Sequence, residues 1–455
     1  MTTERSVLET IGGTPIVELT RLDTGPCRLF GKLENQNPGG SIKDRIALSM
    51  IEVAERDGRL KPGGTIIEAT AGNTGVGLAL VAAQKGYRLI LVIPDKMALE
   101  KVLHLKALGA EIRWTRSDVG KGHPEYYQDI AEQLAEEIPG AFHVNQFSNP
   151  ANPLAHETGT GPEIWAQMAH DVDAVVCGVG SGGTLTGLGR FFRRVAPHVE
   201  MVLADPAGSV LADMVETGTH GDAGSWLVEG IGEDFVPPNC DLGFVARAYR
   251  VSDREAMHAA RDLLRLEGIL GGSSSGTLLA AALRYCREQT KPKRVVTLVC
   301  DTGNKYLSKM FNDYWMADQG LIDRPQHGNL LDLISRPYAE GAVVTVSPND
   351  TLATAYRRMR LYEISQLPVI ENDRLIGILD ESDMLVAVAE DPDHFRVPVR
   401  EAMVSRVETI DPSAPYSALL PIFASDRVAV VEKNGRFLGL ITRIDLINHL
   451  RRRLP

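Results

Sequence analysis

Short apolar runs alternate with stretches whose apolar residues recur every three to four positions from the amino terminus to about residue 320. Thr65-Ile66-Ile67-Glu68-Ala69, Arg88 to Ile93, Ala174 to Val179, Met201 to Ala204 and Val295 to Val299 read as strands. Gly75 to Lys85, Glu100 to Leu108 and Thr277 to Tyr285 read as helices. So does Ile42 to Ala54, with Ile42, Ile46, Met50 and Val53 on one stripe. This alternation predicts an α/β fold built on parallel strands.

The rhythm changes after Met316. Asp318 to Gly328 holds Gly320, Pro325 and Gly328 among polar residues, the composition of a linker. An internal repeat follows. Arg374-Leu375-Ile376-Gly377-Ile378-Leu379-Asp380-Glu381-Ser382-Asp383 matches Arg436-Phe437-Leu438-Gly439-Leu440-Ile441-Thr442-Arg443-Ile444-Asp445, and Val346-Ser347-Pro348 answers Ile410-Asp411-Pro412. The expected organisation is a catalytic domain at 1–320, a linker at 321–334, and repeat copies at 335–392 and 393–455. Each copy has roughly sixty residues, too few to bury a core alone, so the two should pack together.

A chain of 455 residues calls for more than one domain, as the pattern already says. The net charge of −11 argues against nucleic acid or an anionic membrane as partner. Five cysteines without a CxxC pair or a His/Cys cluster give neither a disulfide framework nor a metal site. The amino terminus carries no basic-then-apolar leader and no apolar run is long enough to span a bilayer, so a cytoplasmic protein is expected.

The candidate chemistry sits at glycine loops. Gly39-Gly40-Ser41 precedes Lys43, with Ser41 where a helix cap would stand. A lysine in the first helical turn feels the positive end of the peptide dipoles, which favours an uncharged, nucleophilic amine. Thr70-Ala71-Gly72-Asn73-Thr74-Gly75 follows a strand and opens a helix, forming either a donor-rich nest for a carboxylate or an ordinary turn. Gly178-Val179-Gly180-Ser181-Gly182-Gly183-Thr184 is a phosphate-type loop. It also satisfies GxGxxG, with Asp205 placed as a ribose ligand, so a dinucleotide is the alternative to a single phosphate. Gly271-Gly272-Ser273-Ser274-Ser275-Gly276 opens another apolar helix. Lysine, nest, phosphate cup and serine loop together fit pyridoxal 5′-phosphate. A serine at the ring nitrogen, unlike a carboxylate, gives a moderate electron sink, suited to expelling a β-substituent.

These loops carry a resemblance. Ile11-Gly12-Gly13-Thr14-Pro15, Gly39 to Arg45, Thr70 to Gly75, Gly180 to Thr184 and Gly272-Ser273 stand in the order seen in the cystathionine β-synthase/cysteine synthase family, and residues 7 to 316 resemble that family throughout. The resemblance implies a fold-type-II (tryptophan synthase β-like) catalytic domain. It implies Lys43 as Schiff-base lysine and proton shuttle, and Asn73 at the ring hydroxyl. It places Gly180, Ser181, Gly182, Gly183 and Thr184 at the phosphate and Ser273 at the ring nitrogen. Thr70, Ala71, Gly72, Thr74, Gln146 and Gly230 would hold substrate. Glu229 to Phe235 and Met310 to Met316 are similar to the β-synthase branch, which joins serine and homocysteine to cystathionine and releases hydrogen sulfide from cysteine as a side activity. Cysteine synthase, using O-acetylserine, is the alternative. Ala71, Phe147 and Glu233 stand where animal β-synthases have Ser, Tyr and Tyr, departures that bear on substrate preference. Few residues precede the Gly-Gly-Thr-Pro motif, so no haem is expected.

The repeat resembles a pair of CBS domains, which bind adenosyl ligands. Gly439 to Asp445 fits their Gly-apolar-x-Thr-x-x-Asp pattern, which implies Thr442 and Asp445 as ligand contacts and Asp383 as the counterpart in the first copy. Asp380 replaces the threonine there and adds negative charge, favouring one competent site and S-adenosylmethionine over an adenine nucleotide. A structural dimerisation module is the alternative, and the family implies a homodimer or higher homo-oligomer. A catalytically retired adenosyl-ligand sensor is the reading from another class; the retained Lys43 counts against it.

Overall fold

The continuous apolar runs become strands buried on both faces, as parallel strands covered by helices require. The computed structural model describes residues 6–70, 72–95, 99–119, 123–389, 391–425 and 427–451. The chain divides into two units between Asn312 and Asp313.

The first unit runs β1 (Ile16–Glu18), β2 (Arg28–Lys32), α1 (Lys43–Arg56), β3 (Thr65–Ala69), α2 (Asn73–Lys85), β4 (Arg88–Pro94), α3 (Leu99–Ala107), β5 (Glu111–Thr115), α4 (Tyr127–Glu137) and β6 (Phe142–His143). It continues through α5 (Ala151–Ala155), a π-helical turn (His156–Thr160), α6 (Gly161–Gln167), β7 (Ala174–Cys177), α7 (Gly183–Val195), β8 (Glu200–Pro206) and α8 (Leu211–Thr217). β9 (Val245–Val251), α9 (Asp253–Glu267), α10 (Ser273–Arg287) and β10 (Arg294–Leu298) close it. One sheet has the order β5-β4-β3-β6, all parallel. The other has the order β1-β2-β10-β7-β8-β9, parallel except for the β1–β2 edge. β3, β7 and β10 each release a loop at the carboxyl end, where open α/β sheets bind ligands.

Two helix starts differ from the sequence reading. α2 begins at Asn73 and α10 at Ser273, because Gly72 (φ −90°, ψ −159°) and Gly272 (φ −81°, ψ −177°) take the extended cap positions without any capping side chain. Ser41 is not the cap of α1 either; Ile42 holds that position, and Ser41 Oγ accepts from Lys43 N at 3.2 Å. α1 lies close on α2 because Gly77 has no side chain: a Cβ there would come within 3.1 Å of the Lys43 carbonyl oxygen. Ile46, Met50 and Ile51 then seal into one core with Leu78 and Val81. The polar side of α1 is anchored by a buried network in which Arg45 meets Glu34 at 2.6 Å and Glu163 at 2.7 Å, and Glu163 also meets Lys32 at 2.6 Å. The network fixes the helix that carries Lys43, since breaking one partner would leave an uncompensated buried charge.

The second unit opens with α11 (Asp313–Asp318) and contains α12 (Leu352–Tyr362), β11 (Gln366–Glu371), β12 (Arg374–Asp380), α13 (Glu381–Ala389), β13 (Thr409–Ile410), α14 (Leu419–Ala424), β14 (Ala429–Lys433), β15 (Arg436–Ile441) and α15 (Arg443–Arg451). The repeat is visible in its backbone. Asn372 and Asp373, and again Asn434 and Gly435, take positive φ to turn the β11–β12 and β14–β15 hairpins. Both hairpins shift register at the equivalent place, between Val369 and Ile370 and between Val431 and Glu432.

The copies exchange leading segments. Leu330, Leu333 and Ile334, within the stretch expected as a linker, are buried in one core with Ile410, Val431 and Ile441 of the second copy. Val399 and Met403, leading into the second copy, pack with Val346, Val369 and Leu379 of the first. The glycines of the repeated motif admit these segments: a Cβ on Gly377 would reach Met403 Sδ within 2.8 Å, and one on Gly439 would reach Ile334 Cγ2 within 2.5 Å. Among the described residues, no helix is long and apolar enough to cross a membrane.

Candidate active site

Lys43 opens α1 and lines a cavity with Asn73, Gly180, Ser181, Gly182, Gly183, Thr184 and Gly230. The amine is held below its ordinary pKa chiefly because the surrounding protein desolvates it, while Cys300, Glu233 and Asp301 pull it partly back. Burial therefore favours the uncharged amine against the pull of these neighbours.

The 178–184 loop forms a cup that tolerates no added side chains. A Cβ on Gly180 would lie 2.4 Å from the Gly230 carbonyl oxygen, and Gly182 takes φ +84°. Asn152 Nδ2 donates to Ser181 Oγ at 2.9 Å from behind the cup. Thr184 Oγ1 lies 3.2 Å from His156 Nε2, and His156 Nδ1 lies 2.9 Å from Thr160 Oγ1. His156 is buried, which disfavours its charged form. The backbone opens into the amino end of α7, whose first N–H groups have no intrahelical acceptor. A shallow cup of glycines, two hydroxyls and a helix amino end fits a phosphate.

The residues expected to hold the substrate carboxylate are divided between two cavities. Thr74 Oγ1 donates to Gln146 Oε1 at 2.7 Å, and Gly72 N donates to Thr70 Oγ1 at 3.2 Å. Gln146 donates in turn to Glu68, a buried carboxyl raised by burial to about 7. Ala71 lies outside the described residues. Gly72, Asn73 and Gly230 face a second cavity of about 590 Å³, bordered by Lys305, Tyr306 and Lys309, within the size range of ligand sites. Thr70 and Gln146 face a third, of about 350 Å³, with Arg116, Tyr126 and Phe147.

Ser273 is 1% exposed and does not line the lysine cavity; its neighbour Ser274 does. Ser273 Oγ accepts from Glu229 N at 2.9 Å. Asp205, the ribose ligand of the dinucleotide alternative, is fully buried, and its Oδ2 accepts from Ala212 N at 2.8 Å at the start of α8.

In the second unit Thr442 lines a cleft of about 420 Å³ with Gln366, Asp380, Glu381, Arg427 and Arg443. Asp383 and Asp445 do not line it. Asp445 Oδ2 accepts from Thr442 N at 2.7 Å and from Thr442 Oγ1, while Oδ1 accepts from Ser335 Oγ. Asp383 and Asp380 cap each other's main-chain N–H groups.

Sequence reasoning missed Asn152, His156, Asp301 and Tyr306. Asp301 carried a signal, its position just past a strand's carboxyl end; the others carried none beyond the four-residue spacing of Asn152, His156 and Thr160.

A family model described as pyridoxal-phosphate dependent enzyme matches residues 7–301, and the CBS domain model matches residues 334–390 and 399–452. The cystathionine beta-synthase of Dictyostelium discoideum is 36% identical over 463 residues, covering 98% of this chain and 92% of that protein. The chain belongs to the cystathionine beta-synthase family of pyridoxal-phosphate dependent enzymes. The family's cystathionine beta-synthase from Saccharomyces cerevisiae is 37% identical over 409 residues, 84% of this chain and 80% of its own length. A solved structure, a hydrogen sulfide-producing enzyme from Fusobacterium nucleatum, aligns with TM-score 0.62 and 35% identity over 67% of this chain and 98% of that one. Membership in this pyridoxal-phosphate family makes the chain an enzyme with that cofactor, and the fold agrees, with a catalytic α/β unit followed by tandem CBS domains.

Proposed function

We propose that the chain catalyses β-replacement on L-serine: the hydroxyl leaves as water and the thiol of L-homocysteine takes its place, giving L-cystathionine. The observation that carries this reading is the desolvated Lys43 amine sharing one cavity with the glycine cup. Pyridoxal phosphate, when bound, supplies the electron sink. Gly180, Ser181, Gly182, Gly183 and Thr184 would hold its phosphate, Asn73 would meet its ring, Ser273 would meet the ring nitrogen although its neighbour Ser274 lines the lysine cavity, and Lys43 would hold the cofactor and later move protons. Thr70, Ala71, Gly72, Thr74 and Gln146, with Gly230, fix the substrate carboxylate. Burial holds the Lys43 amine below its ordinary pKa, and in its uncharged form the amine can accept the Cα proton of serine at Nζ. Cysteine in place of serine gives hydrogen sulfide as the leaving species.

The test is a product assay. Serine with homocysteine should yield cystathionine; strong preference for O-acetylserine with sulfide would reassign the chain to cysteine synthase activity. A visible absorption band in the purified protein, lost in Lys43→Ala, tests the cofactor assignment; a colourless wild type would favour the retired sensor.

The reading extends to the CBS pair, whose ligand is S-adenosylmethionine. Acidic Asp380 and Glu381 line the cleft together with basic Arg427 and Arg443, a mixed lining that suits a sulfonium amino acid better than a triphosphate. Thr442, Asp445 and Asp383 are the proposed contacts. Asp445 must then exchange at least one of its present partners for the ligand. Calorimetry with S-adenosylmethionine, AMP and ATP decides, and heat from none of them would leave the module structural. The working assembly is a cytoplasmic homodimer or higher homo-oligomer, checked by sedimentation.

A further inference from the structure

Asp301 lies just beyond β10 and is 1% exposed. Its backbone joins two of the glycine loops: Gly272 N donates to the Asp301 carbonyl at 3.0 Å, and Asp301 bridges to Ser41 beside Lys43. Its carboxylate is used unevenly. Oδ2 accepts from Asn73 Nδ2 at 2.9 Å and from the Tyr306 hydroxyl at 2.9 Å. Oδ1 has no hydrogen-bond partner among the described residues and presses against Gly272, where a Cβ would come within 2.0 Å.

We propose that Asp301 is a positioning residue that sets both edge contacts of the cofactor ring, Asn73 on one side and Ser273 on the other, through its single oxygen Oδ2. The proposal rests on the pyridoxal phosphate reading above. Its logic is proton direction. An asparagine amide has one acceptor oxygen and two N–H donors. Lys305 Nζ donates to Asn73 Oδ1, and Asp301 takes one N–H. What remains for a ligand is one N–H and one lone pair of Oδ1, so Asn73 still has an N–H to offer an acceptor oxygen on the ring. On the other arm the Tyr306 proton is spent on Asp301, so the Tyr306 oxygen is open to the Ser273 hydroxyl with which it is hydrogen-bonded. Ser273 Oγ already accepts from Glu229 N, which leaves its proton to be divided between Tyr306 and a ring nitrogen. Burial raises the Asp301 carboxyl, with Asn73, Lys305 and Tyr306 opposing that rise. The unpaired Oδ1 is the cost of keeping a carboxylate at this junction.

The test uses the full-length protein stripped of cofactor and titrated with pyridoxal phosphate, following the dissociation constant and the visible band of the bound form. Asp301→Ala takes away the acceptor of one Asn73 N–H and of the Tyr306 hydroxyl and should weaken binding by about 10- to 100-fold and shift the band. Asp301→Asn, which keeps one acceptor, should restore affinity to within about threefold of wild type. Tyr306→Phe should shift the band while leaving affinity within about threefold, because the Asn73 arm is intact. A wild-type band and affinity in Asp301→Ala, even with lowered thermal stability, would reduce Asp301 to a structural part. Should that variant not fold, an unshifted band in Tyr306→Phe overturns the proposal equally. Wild-type protein that takes up no cofactor would sink the underlying reading, whereas uptake by wild type and Asp301→Ala alike sinks only this inference.

Discussion

The two units treat polar groups in opposite ways. The first buries them. Glu68, Asp44 and Glu233 are carboxyls that burial raises to about 7, about 7 and about 8 respectively, and Lys43 is an amine that burial lowers. The second gathers acidic Asp380 and Glu381 and basic Arg427 and Arg443 around an open cleft. Burying a charge costs stability unless partners repay it, so a unit that concentrates such groups marks where chemistry is done.

The comparison breaks most sharply at Lys43. Lys43→Ala should lower turnover of serine on the order of 10³-fold while the thermal transition of the second unit stays put, measured by steady-state assay beside calorimetry. Equal loss of both would mean that the lysine is structural. The reverse experiment is Ile334→Ala, which should destabilise the second unit by about 3 kcal/mol and leave the cofactor band unchanged.

Acid titration separates the units next. Glu68 has a folded pKa of about 7, above its ordinary 4.5, so the unfolded chain gives up its proton first. Stability of the first unit must therefore fall as pH climbs from about 4.5 to about 7 and level off above, by about 3 kcal/mol for this group. Glu68→Gln should flatten that fall in urea unfolding compared at about pH 5 and about pH 8, leaving a residue from Asp44 and Glu233. A slope unchanged by the substitution would show that Glu68 is ionised normally. The smallest effect is expected at the cleft. Arg443→Ala should weaken S-adenosylmethionine binding by only about threefold, read by calorimetry, since a solvent-facing charge is worth little.

Much of this contrast was legible beforehand. The strands at Thr65–Ala69 and Arg88–Pro94 announced themselves because full burial demands unbroken apolar runs. The glycine loops marked the site because only they allow such close backbone approach, as Gly180 against Gly230 shows. The starts of α2 and α10 were misjudged because a glycine cap in extended backbone leaves no side-chain signature. Asp301 and Tyr306 stayed hidden for a different reason: their roles depend on which atoms meet across 228 positions of sequence, from Asn73 to Asp301, and no local pattern encodes that. The exchange of segments in the second unit was invisible too, since Leu330 and Ile334 look like any apolar residues beside a glycine-rich stretch.

That exchange decides how the protein fails when shortened. A stop codon in the final sixty or so residues does not simply remove one lobe, because the lead-in at 330–334 would lose the cover it finds on Ile410, Val431 and Ile441. The shortened product would carry an adhesive apolar strip directly after an intact catalytic unit, and clumping rather than inactivity would be its first symptom.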